Sequence, residues 1–527
     1  MTIDGSPNLQ VKMPFRWAWL CLLAIFVGGI FIQSLGFLNH DVSWLLHATK
    51  RFLAGGSYSQ DFFEMNPPMV LYIHIPPVLL AHITKLSLIS SVRIYVFLIA
   101  AFSIFLCARL LKKILKPDSH VLYFATLLTL VFGYVISPAS NFGQREHVAI
   151  MLIMPYLLGA VLRLQQRPLR NPVLIGLMAG VGFAIKPHLC VTLLLVEAYL
   201  FLKARRCASL FCQETIAIAF VFVSYVAAVL LFNRDYFSLI PYIYQFFAIF
   251  FASHDVFIDL FFNLRVAFII EAIVIYSVFH KNSAYRDLAT ILMLSMVGFF
   301  IFYIAEPLAM DYHTIPMFVV AMLLSVFLLT EYLLSCYRQS VSSSQNKIAE
   351  AIIVSGIVLL LLWIPGRLVV DTTVRFISAG PKPTLPNPWV QYVKISANHR
   401  PFYAFSTNCR LTYPLVDYAG VESASRYECL WPVMYIEKLS KLHTPEAAAA
   451  LEKQRIFFTH TIVEDMKRNM PSLVLVTPAI NWTVFDGVTF DYLAFFSQSK
   501  EFRDIWKNYR YVTRFGGILI YKNIHDS

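Results

Sequence analysis

Long apolar runs alternate along the chain with short polar loops, and many of the runs approach the length of about 20 residues that an α-helix needs to cross a bilayer. The runs are Trp17–Leu38, Val92–Leu111, Val121–Ser137, Val148–Leu164, Pro172–Ile185, Leu189–Leu202, Ile216–Phe232, Phe257–Phe279, Leu288–Ile304, Ile315–Leu334 and Ile352–Ile364. This pattern predicts a polytopic α-helical membrane protein with about eleven spanning helices.

One further apolar segment, Pro67–Leu86, is interrupted by two proline pairs, Pro67-Pro68 and Pro76-Pro77. Proline inside a helix removes a backbone hydrogen bond and breaks the helix, and broken segments at membrane depth are often interfacial or re-entrant. We therefore expect this segment not to cross the bilayer. If it did cross, every later loop would lie on the opposite side.

The distribution of charge decides between these two topologies. Without a crossing at Pro67–Leu86, the loops with clustered Lys and Arg all share the side of the N-terminus, where Lys12 and Arg16 precede the first run. The loops with isolated carboxylates, such as Asp41 and Glu146, then share the other side. Basic loops of inner-membrane proteins remain in the cytoplasm. The sequence thus predicts a bacterial inner-membrane protein with a cytoplasmic N-terminus, and its net charge of +12 reflects this bias rather than binding to nucleic acid.

From about Arg367 the chain becomes more polar, and we expect a transmembrane domain over 1–366 and an extracytoplasmic domain over 367–527. Short apolar runs that alternate with helix-like stretches indicate a small α/β domain after a proline-rich linker. The linker prolines are Pro381, Pro383, Pro386 and Pro388; the runs include Phe402–Phe405, Ile456–Thr459 and Leu473–Val476; the helix-like stretches are Thr444–Lys453 and Glu501–Asn508. Cys409 and Cys429 are able to pair in this domain if its compartment is oxidising.

The first outer loop is dense in polar side chains and contains an amphipathic stretch, Asp41–Leu53. Its apolar residues lie on one side and Lys50 and Arg51 on the other, which predicts a helix at the membrane surface. Asp41 would lie at the N-terminal end of that helix. An Asp there serves as a helix cap, as a catalytic group, or as both.

Three motifs in this order resemble the GT-C fold of membrane glycosyltransferases. The first is an acidic residue after the first helix, an amphipathic stretch and then an aromatic-Glu-x-x-Pro-Pro sequence, here Phe63-Glu64-Met65-Asn66-Pro67-Pro68. The others are Ile185-Lys186-Pro187-His188 and Tyr312-His313-Thr314-Ile315-Pro316. The sequence is most similar in kind to bacterial aminoarabinose transferases and protein O-mannosyltransferases, which are glycosyltransferase family 39-like enzymes.

The resemblance implies an inverting glycosyltransferase that moves a sugar from a polyprenyl-phosphate donor to a cell-envelope acceptor. The acceptor, which is a lipid, a glycan or a protein, would be modified on the outer face of the membrane. Membrane lipid is a further expected partner. The competing interpretations are a transporter or flippase of a lipid-linked sugar, which would use Arg265, Glu271 or Asp259 within helices, and a structural membrane subunit.

Glycosyl transfer to a hydroxyl needs a base and a means to stabilise the leaving phosphate. We expect Asp41 to be the base, while Glu64 either orients the acceptor or bonds to the nearby backbone. Lys186 and Arg145 are the expected phosphate partners, since Arg suits bidentate phosphate binding; a snorkelling role is the alternative for Lys186.

The remaining candidates leave two roles open. Glu146 and His147 are substrate-binding candidates that could also hold a divalent cation together with Asp41, because carboxylate and imidazole are reasonable metal ligands. No other cofactor is predicted. Tyr312 and His313 either bind sugar or phosphate, or form an ordinary interfacial pair.

Overall fold

A computed structural model describes residues 15–205, 211–253, 264–306, 310–340, 366–367, 369–378, 387–433, 436, 440, 444–478 and 490–526. Within these ranges, 7 helices are long and apolar enough to cross a membrane, and several apolar helices are shorter. The predicted run Ile352–Ile364 and the linker prolines Pro381, Pro383 and Pro386 lie outside the described residues.

The helices before residue 341 follow the apolar runs. They are α1 Phe15–Leu35, α2 His40–Leu53, α3 Met69–Tyr72, α4 Ile75–Thr84, α5 Leu88–Ile114, α6 His120–Val135, α7 Arg145–Leu164, α8 Pro172–Ile185, α9 Cys190–Ala204, α10 Gln213–Phe232, α11 Tyr236–Ser253, α12 Leu264–Phe279, α13 Arg286–Ala305 and α14 Ile315–Ser340. Every predicted run within the described ranges corresponds to one of these helices.

Two regions with internal proline differ in structure. The segment Pro67–Leu86 forms two short helices, α3 and α4, which agrees with the expected break. The aromatic stretch Tyr236–Phe251 lies in a single helix, α11, which has Pro241 inside it. The stretch contains no glycine, and its single proline does not stop the helix.

The chain divides into two compact units, and both are discontinuous in sequence. The first comprises Met1–Gly36, Tyr95–Val226 and Asp255–Ala379, and the second Phe37–Ile94, Ala227–His254 and Gly380–Ser527. The second unit thus combines the segment that contains α2 with the C-terminal part of the chain.

Helix α7 is the core of the first unit. Almost all of its side chains are buried, and it packs against α8, α9, α13 and α14. In contrast, α1 and α10 expose large apolar side chains, for example Phe31 and Val223. Exposed apolar faces of this kind are what a helix needs where it contacts lipid.

The loops of the first unit gather at two ends as the charge pattern predicted. At one end, Lys113 Nζ donates to the carbonyl of Pro168 at 3.1 Å, and the Arg163 guanidinium pairs with Glu197 at 2.6 Å. At the other end lie the connections between α6 and α7, between α8 and α9, and between α13 and α14. The candidate residues of the first unit are all located at this second end.

The C-terminal part combines helices with one sheet, as the predicted α/β domain requires. Its elements are α15 Pro388–Ala397, β1 Phe402–Phe405, α16 Leu415–Ala419, α17 Pro445–Asn469, β2 Leu473–Val476, α18 Tyr492–Phe496, α19 Lys500–Trp506, β3 Tyr509–Phe515 and β4 Ile518–Asn523. The strand order is β1-β2-β4-β3, with β1 parallel to β2 and the other neighbours antiparallel.

Two details of this part differ from the sequence prediction. The run Ile456–Thr459 was expected to be a strand, and this was wrong, because it lies inside α17. The hairpin of β3 and β4 was not predicted, although Gly516 and Gly517 form its turn with positive φ angles of 51° and 86°. Glycine adopts this backbone conformation without the steric cost of a side chain.

Candidate functional site

Lys186 is held at a helix end by the sequence that follows it. Helix α8 ends at Ile185, and Pro187 disfavours a helical backbone at the residue before it. Lys186 accordingly has an extended backbone, with φ −138° and ψ 118°. Its side chain is buried in the first unit, with 5% of the residue exposed.

The Lys186 ammonium is surrounded by three polar groups, each from a different part of the first unit. It donates hydrogen bonds to Glu306 Oε1 at 2.8 Å and to His313 Nε2 at 3.0 Å, and it lies 2.8 Å from Glu146 Oε1. The ring of Phe302 covers it at 5.5 Å from the ring centroid. We call Glu146, Lys186, Glu306 and His313 the lysine cluster.

The protonation of His313 follows from this geometry. An ammonium group only donates hydrogen bonds, so Nε2 of His313 must accept and the ring proton must reside on Nδ1. Nδ1 is buried and has no hydrogen-bond partner among the described residues. A buried N–H donor without a partner is costly, and a ligand that accepts this bond would remove the cost.

The two carboxylates of the lysine cluster differ in their surroundings. Glu146 lies in the first turn of α7 and is fully buried, whereas Glu306 follows the end of α13 and keeps 10% of its side chain exposed. Burial by itself would raise the pKa of Glu306, but the Lys186 ammonium opposes this effect, and the pKa is lowered to about 2. Glu306 therefore remains ionised at neutral pH.

Arg145 and Tyr312 lie beside one another in the first unit. The Arg145 guanidinium is 5.6 Å from the centroid of the Tyr312 ring, and this ring contacts that of His313 edge to face at 4.5 Å. The structure thus brings together five of the predicted substrate-binding residues, namely Arg145, Glu146, Lys186, Tyr312 and His313. Glu306 joins them, although sequence reasoning did not include it among the site residues.

His147 is the one predicted residue of this group that points elsewhere. Its Nδ1 accepts a hydrogen bond from the backbone N–H of Gly143 at 3.0 Å, and its Nε2 bonds to the carbonyl of Tyr134 at 2.8 Å. Both ring nitrogens therefore bond to the backbone and stabilise the connection between α6 and α7. This arrangement leaves neither nitrogen for a metal ion or a substrate.

Two of the charged residues that suggested a transporter, Arg265 and Glu271, lie in α12. Arg265 donates to the carbonyl of Asp311 at 2.6 Å and to Thr314 Oγ1 at 2.7 Å, so it stabilises the start of α14. Glu271 has one buried carboxylate oxygen with no hydrogen-bond partner in the part of the chain that the structure describes. Asp259 lies outside that part.

Asp41 belongs to the second unit, where α2 begins. Asn39 is the N-cap of this helix, because its side chain accepts a hydrogen bond from the backbone N–H of Asp41 at 2.9 Å. Asp41 is therefore not the cap, and it is the second residue of the helix. Its residue is 9% exposed.

The side chain of Asp41 lies in a group of three titratable residues. His40 Nδ1 is 3.1 Å from Asp41 Oδ1 and 2.8 Å from Glu428 Oε1. Burial would lower the pKa of His40, but the carboxylates of Asp41 and Glu428 raise it to about 10. Burial and the neighbouring Asp41 raise the pKa of Glu428 to about 7. Sequence reasoning did not identify Glu428.

Glu64 is buried in the first outer loop and both of its carboxylate oxygens are bonded. Trp44 Nε1–H donates to Oε2 at 2.6 Å, and the backbone N–H and side-chain amide of Asn66 donate to Oε1 at 2.8 and 2.5 Å. These contacts connect α2 to the Pro67-Pro68 pair. They agree with the interpretation in which Glu64 bonds to the nearby backbone. A role of Glu64 in orienting the acceptor stays a prediction.

The residues proposed for a divalent cation do not form a ligand set within either unit. Asp41 lies in the second unit and Glu146 and His147 in the first, where both nitrogens of His147 are bonded to backbone. Among the described residues, His40, Cys409 and Glu428 have ligand atoms within 4.8 Å of one another. Cys409, however, forms a disulfide with Cys429, as the sequence allowed, and a disulfide sulfur lacks the thiolate charge that binds metals.

No protein-family model and no curated protein sequence matches the chain. Its structure is similar to that of ArnT from Cupriavidus metallidurans in the apo state, with 12% identity, a TM-score of 0.55 and coverage of 97% of this chain and 98% of that one. ArnT bound to undecaprenyl phosphate gives 12% identity, a TM-score of 0.53 and coverage of 96% and 98%. An oligosaccharyltransferase from Archaeoglobus fulgidus, solved with Zn and sulfate, gives 10% identity, a TM-score of 0.46 and coverage of 95% of this chain and 73% of that one. The likeness to ArnT covers nearly the whole chain and establishes the fold: this protein is a multi-pass helical membrane protein with the GT-C fold and a C-terminal α/β part.

Proposed function

We propose that the protein is an inverting glycosyltransferase that moves a sugar from a polyprenyl-phosphate donor to a hydroxyl of a cell-envelope acceptor on the outer face of the inner membrane. The observation that supports this most is the buried lysine cluster at one end of the helices of the first unit. It offers an ammonium group and the unpaired Nδ1–H of His313 to an anion. The fold is that of ArnT, which has been solved with undecaprenyl phosphate, so a lipid phosphate is the anion we expect.

The donor phosphate would have to replace a partner that Lys186 already has. Glu146 is fully buried at the start of α7, whereas Glu306 follows a helix end and is partly exposed. Glu306 is therefore the carboxylate that we expect the phosphate to displace. The Arg145 guanidinium beside Tyr312 has the donor geometry that suits a phosphate and is the second cation we assign to this role.

The transfer step itself needs a base and a stabilised leaving group. The acceptor oxygen forms a bond to the anomeric carbon while the carbon–oxygen bond to the phosphate breaks, and the bonding pair leaves on the phosphate oxygen. Attack from the opposite face inverts the configuration. Asp41 takes the proton of the acceptor hydroxyl, and the cations at Lys186 and Arg145 stabilise the charge that develops on the phosphate.

The experiment is an assay of the purified protein with several polyprenyl-phosphate sugars and an envelope lipid fraction as acceptor. We expect release of polyprenyl phosphate together with a glycosylated product. Lys186→Ala should lose most donor use, and Lys203→Ala, which removes an exposed lysine at the other end of α9, should retain it. If no donor is consumed while a lipid-linked sugar crosses the bilayer of proteoliposomes, the transporter interpretation replaces this one.

A further inference from the structure

The second unit contains a carboxylate next to Asp41 that the mechanism above does not use. Glu428 is separated from His40 by 388 positions in sequence, yet its Oε1 lies 2.8 Å from His40 Nδ1. The same nitrogen is 3.1 Å from Asp41 Oδ1, so one imidazole N–H faces two carboxylates. Both carboxylate side chains are nearly buried, with 12% of Asp41 and 13% of Glu428 exposed.

Two like charges this close to one another favour sharing a proton. Carboxylates a few ångströms apart do not both ionise readily, and the affinity of one for a proton rises. The groups that act on Glu428 are Asp41, which raises its pKa, and the imidazolium of His40, which lowers it, in addition to burial. The result is a carboxyl that titrates near neutral pH at about 7 beside one that is placed at the start of α2.

We propose that Glu428 is a second member of the proton-accepting site and that Asp41 and Glu428 act as a carboxylate pair with His40 as their shared counter-ion. This inference rests on the proposed glycosyl transfer. When the acceptor O–H bond breaks, the proton moves to Asp41, the acceptor oxygen bonds to the anomeric carbon, and the phosphate departs with the electron pair. The proton on Asp41 then passes to Glu428 and from there to solvent, so the pair returns to its starting state.

The position of Glu428 is fixed by the residues that follow it. Cys429 is bonded to Cys409 in a disulfide with a Cα–Cα distance of 4.8 Å. The backbone N–H of Leu430 donates to the carbonyl of Ser406 at 2.8 Å, which ties the same segment to the end of β1. These two attachments hold the Glu428 carboxylate in contact with His40 of α2, while 13% of the side chain stays exposed.

The pair predicts a pH dependence of the rate. Below about pH 7 Glu428 keeps its proton and shares it with Asp41, so the pair would have to accept a second proton, which is unfavourable. Above that pH Glu428 has lost its proton, so the pair can accept the proton of the acceptor hydroxyl. The rate should therefore rise through neutral pH, while His40 stays protonated until about pH 10.

The test compares four proteins, namely wild type, Glu428→Gln, Glu428→Asp and the control Glu452→Gln, which alters an exposed glutamate of α17. Transfer rates are measured as a function of pH with the donor that the wild type uses. We expect Glu428→Gln to lower kcat about 10- to 100-fold and to lose the rise in rate through neutral pH, with the donor KM unchanged. Glu428→Asp should keep part of this rise in rate, and Glu452→Gln should match the wild type.

A wild-type rate and pH profile in Glu428→Gln would overturn the proposal. If the wild type consumes no donor at all, the proposed function fails, but the pair is still testable by infrared spectroscopy. A protonated carboxyl band that titrates near neutral pH in the wild type and is absent from Glu428→Gln supports the pair. No such band in the wild type, or the same band in both proteins, refutes it.

Discussion

The ammonium of Lys186 donates a hydrogen bond to the carboxylate of Glu306 at 2.8 Å. The cation that we propose for phosphate binding is thus paired with an internal anion. Such a pair prevents the cost of an uncompensated buried charge. Under the proposed function, Glu306 and the donor phosphate would compete for the same ammonium.

We predict that Glu306→Gln binds the donor more tightly, because the glutamine no longer competes as an anion. The donor KM should fall about threefold to tenfold, with little change in kcat. Glu331→Gln, which alters a glutamate that bonds to Ser283 at the other end of the first unit, is the matched control. An increase in donor KM, as expected for Lys186→Ala, would show instead that Glu306 positions Lys186 for the donor.

Asp41→Asn tests the base separately from the helix cap. The amide keeps the shape of the side chain but does not accept a proton, so the transfer rate should fall about 100- to 10,000-fold. Asn39 and not Asp41 caps α2, so any loss of thermal stability should come from the ion pair of Asp41 with His40 and not from the helix cap.

Asn39→Ala is the matched control for this experiment. Removal of the cap should cost about 1 kcal/mol of stability and leave most of the transfer rate. Measurements of melting temperature and transfer rate therefore distinguish the effects of the two substitutions. Near-full turnover in Asp41→Asn would remove Asp41 as the base and direct attention to Glu428.

His47 provides a prediction about stability and pH. Its Nε2 is 3.0 Å from Asp417 Oδ1 and its Nδ1 is 3.5 Å from Glu422 Oε2. Burial would lower the pKa of this imidazole, but the two carboxylates raise it to about 9 from an ordinary value of 6.5. A raised folded-state pKa means that the imidazolium stabilises the fold fully below pH 6.5 and that this contribution is lost as the pH rises through about 9.

The measurement is the melting temperature of the purified protein between about pH 6 and 10. The wild type should become less stable over the upper part of this range, and His47→Gln should be less stable at pH 6 and show a flatter profile. His460→Gln, which alters an exposed histidine of α17, is the control. If the melting temperatures of the wild type and His47→Gln depend on pH with equal slopes, another group causes the loss of stability at high pH.

The helices and their order could be predicted from the sequence because a membrane span requires a long, continuous apolar run. The order of basic and acidic loops also predicted which loops share an end, and the contacts within the first unit agree. The errors concern segments where the pattern is ambiguous. A short run such as Ile456–Thr459 fits a strand or a buried helix turn equally well, and only its position within Pro445–Asn469 decides between them.

The candidate site was predictable only in part, for a physical reason. Lys186 and His313 could be identified because charged and polar side chains are rare beside apolar runs. Glu428 could not be identified, because nothing in the local sequence indicates that it meets His40, which is 388 positions away. The cap role of Asn39 was likewise missed, since Asn39 and Asp41 are both good caps and the choice depends on where the helix begins.

The last prediction concerns the side of the membrane on which these groups lie. In a variant that lacks the free cysteines but keeps Cys409 and Cys429, single cysteines replace Ser140, Lys281 and Lys394, which are all exposed. The charge pattern places Ser140 and Lys394 outside and Lys281 in the cytoplasm. A membrane-impermeant thiol reagent added to intact cells stripped of their outer membrane should label the first and third positions. Lys281→Cys should react only after the inner membrane is permeabilised. Labelling of Lys281→Cys in sealed cells, with Ser140→Cys protected, would put the lysine cluster on the cytoplasmic side and contradict transfer at the outer face.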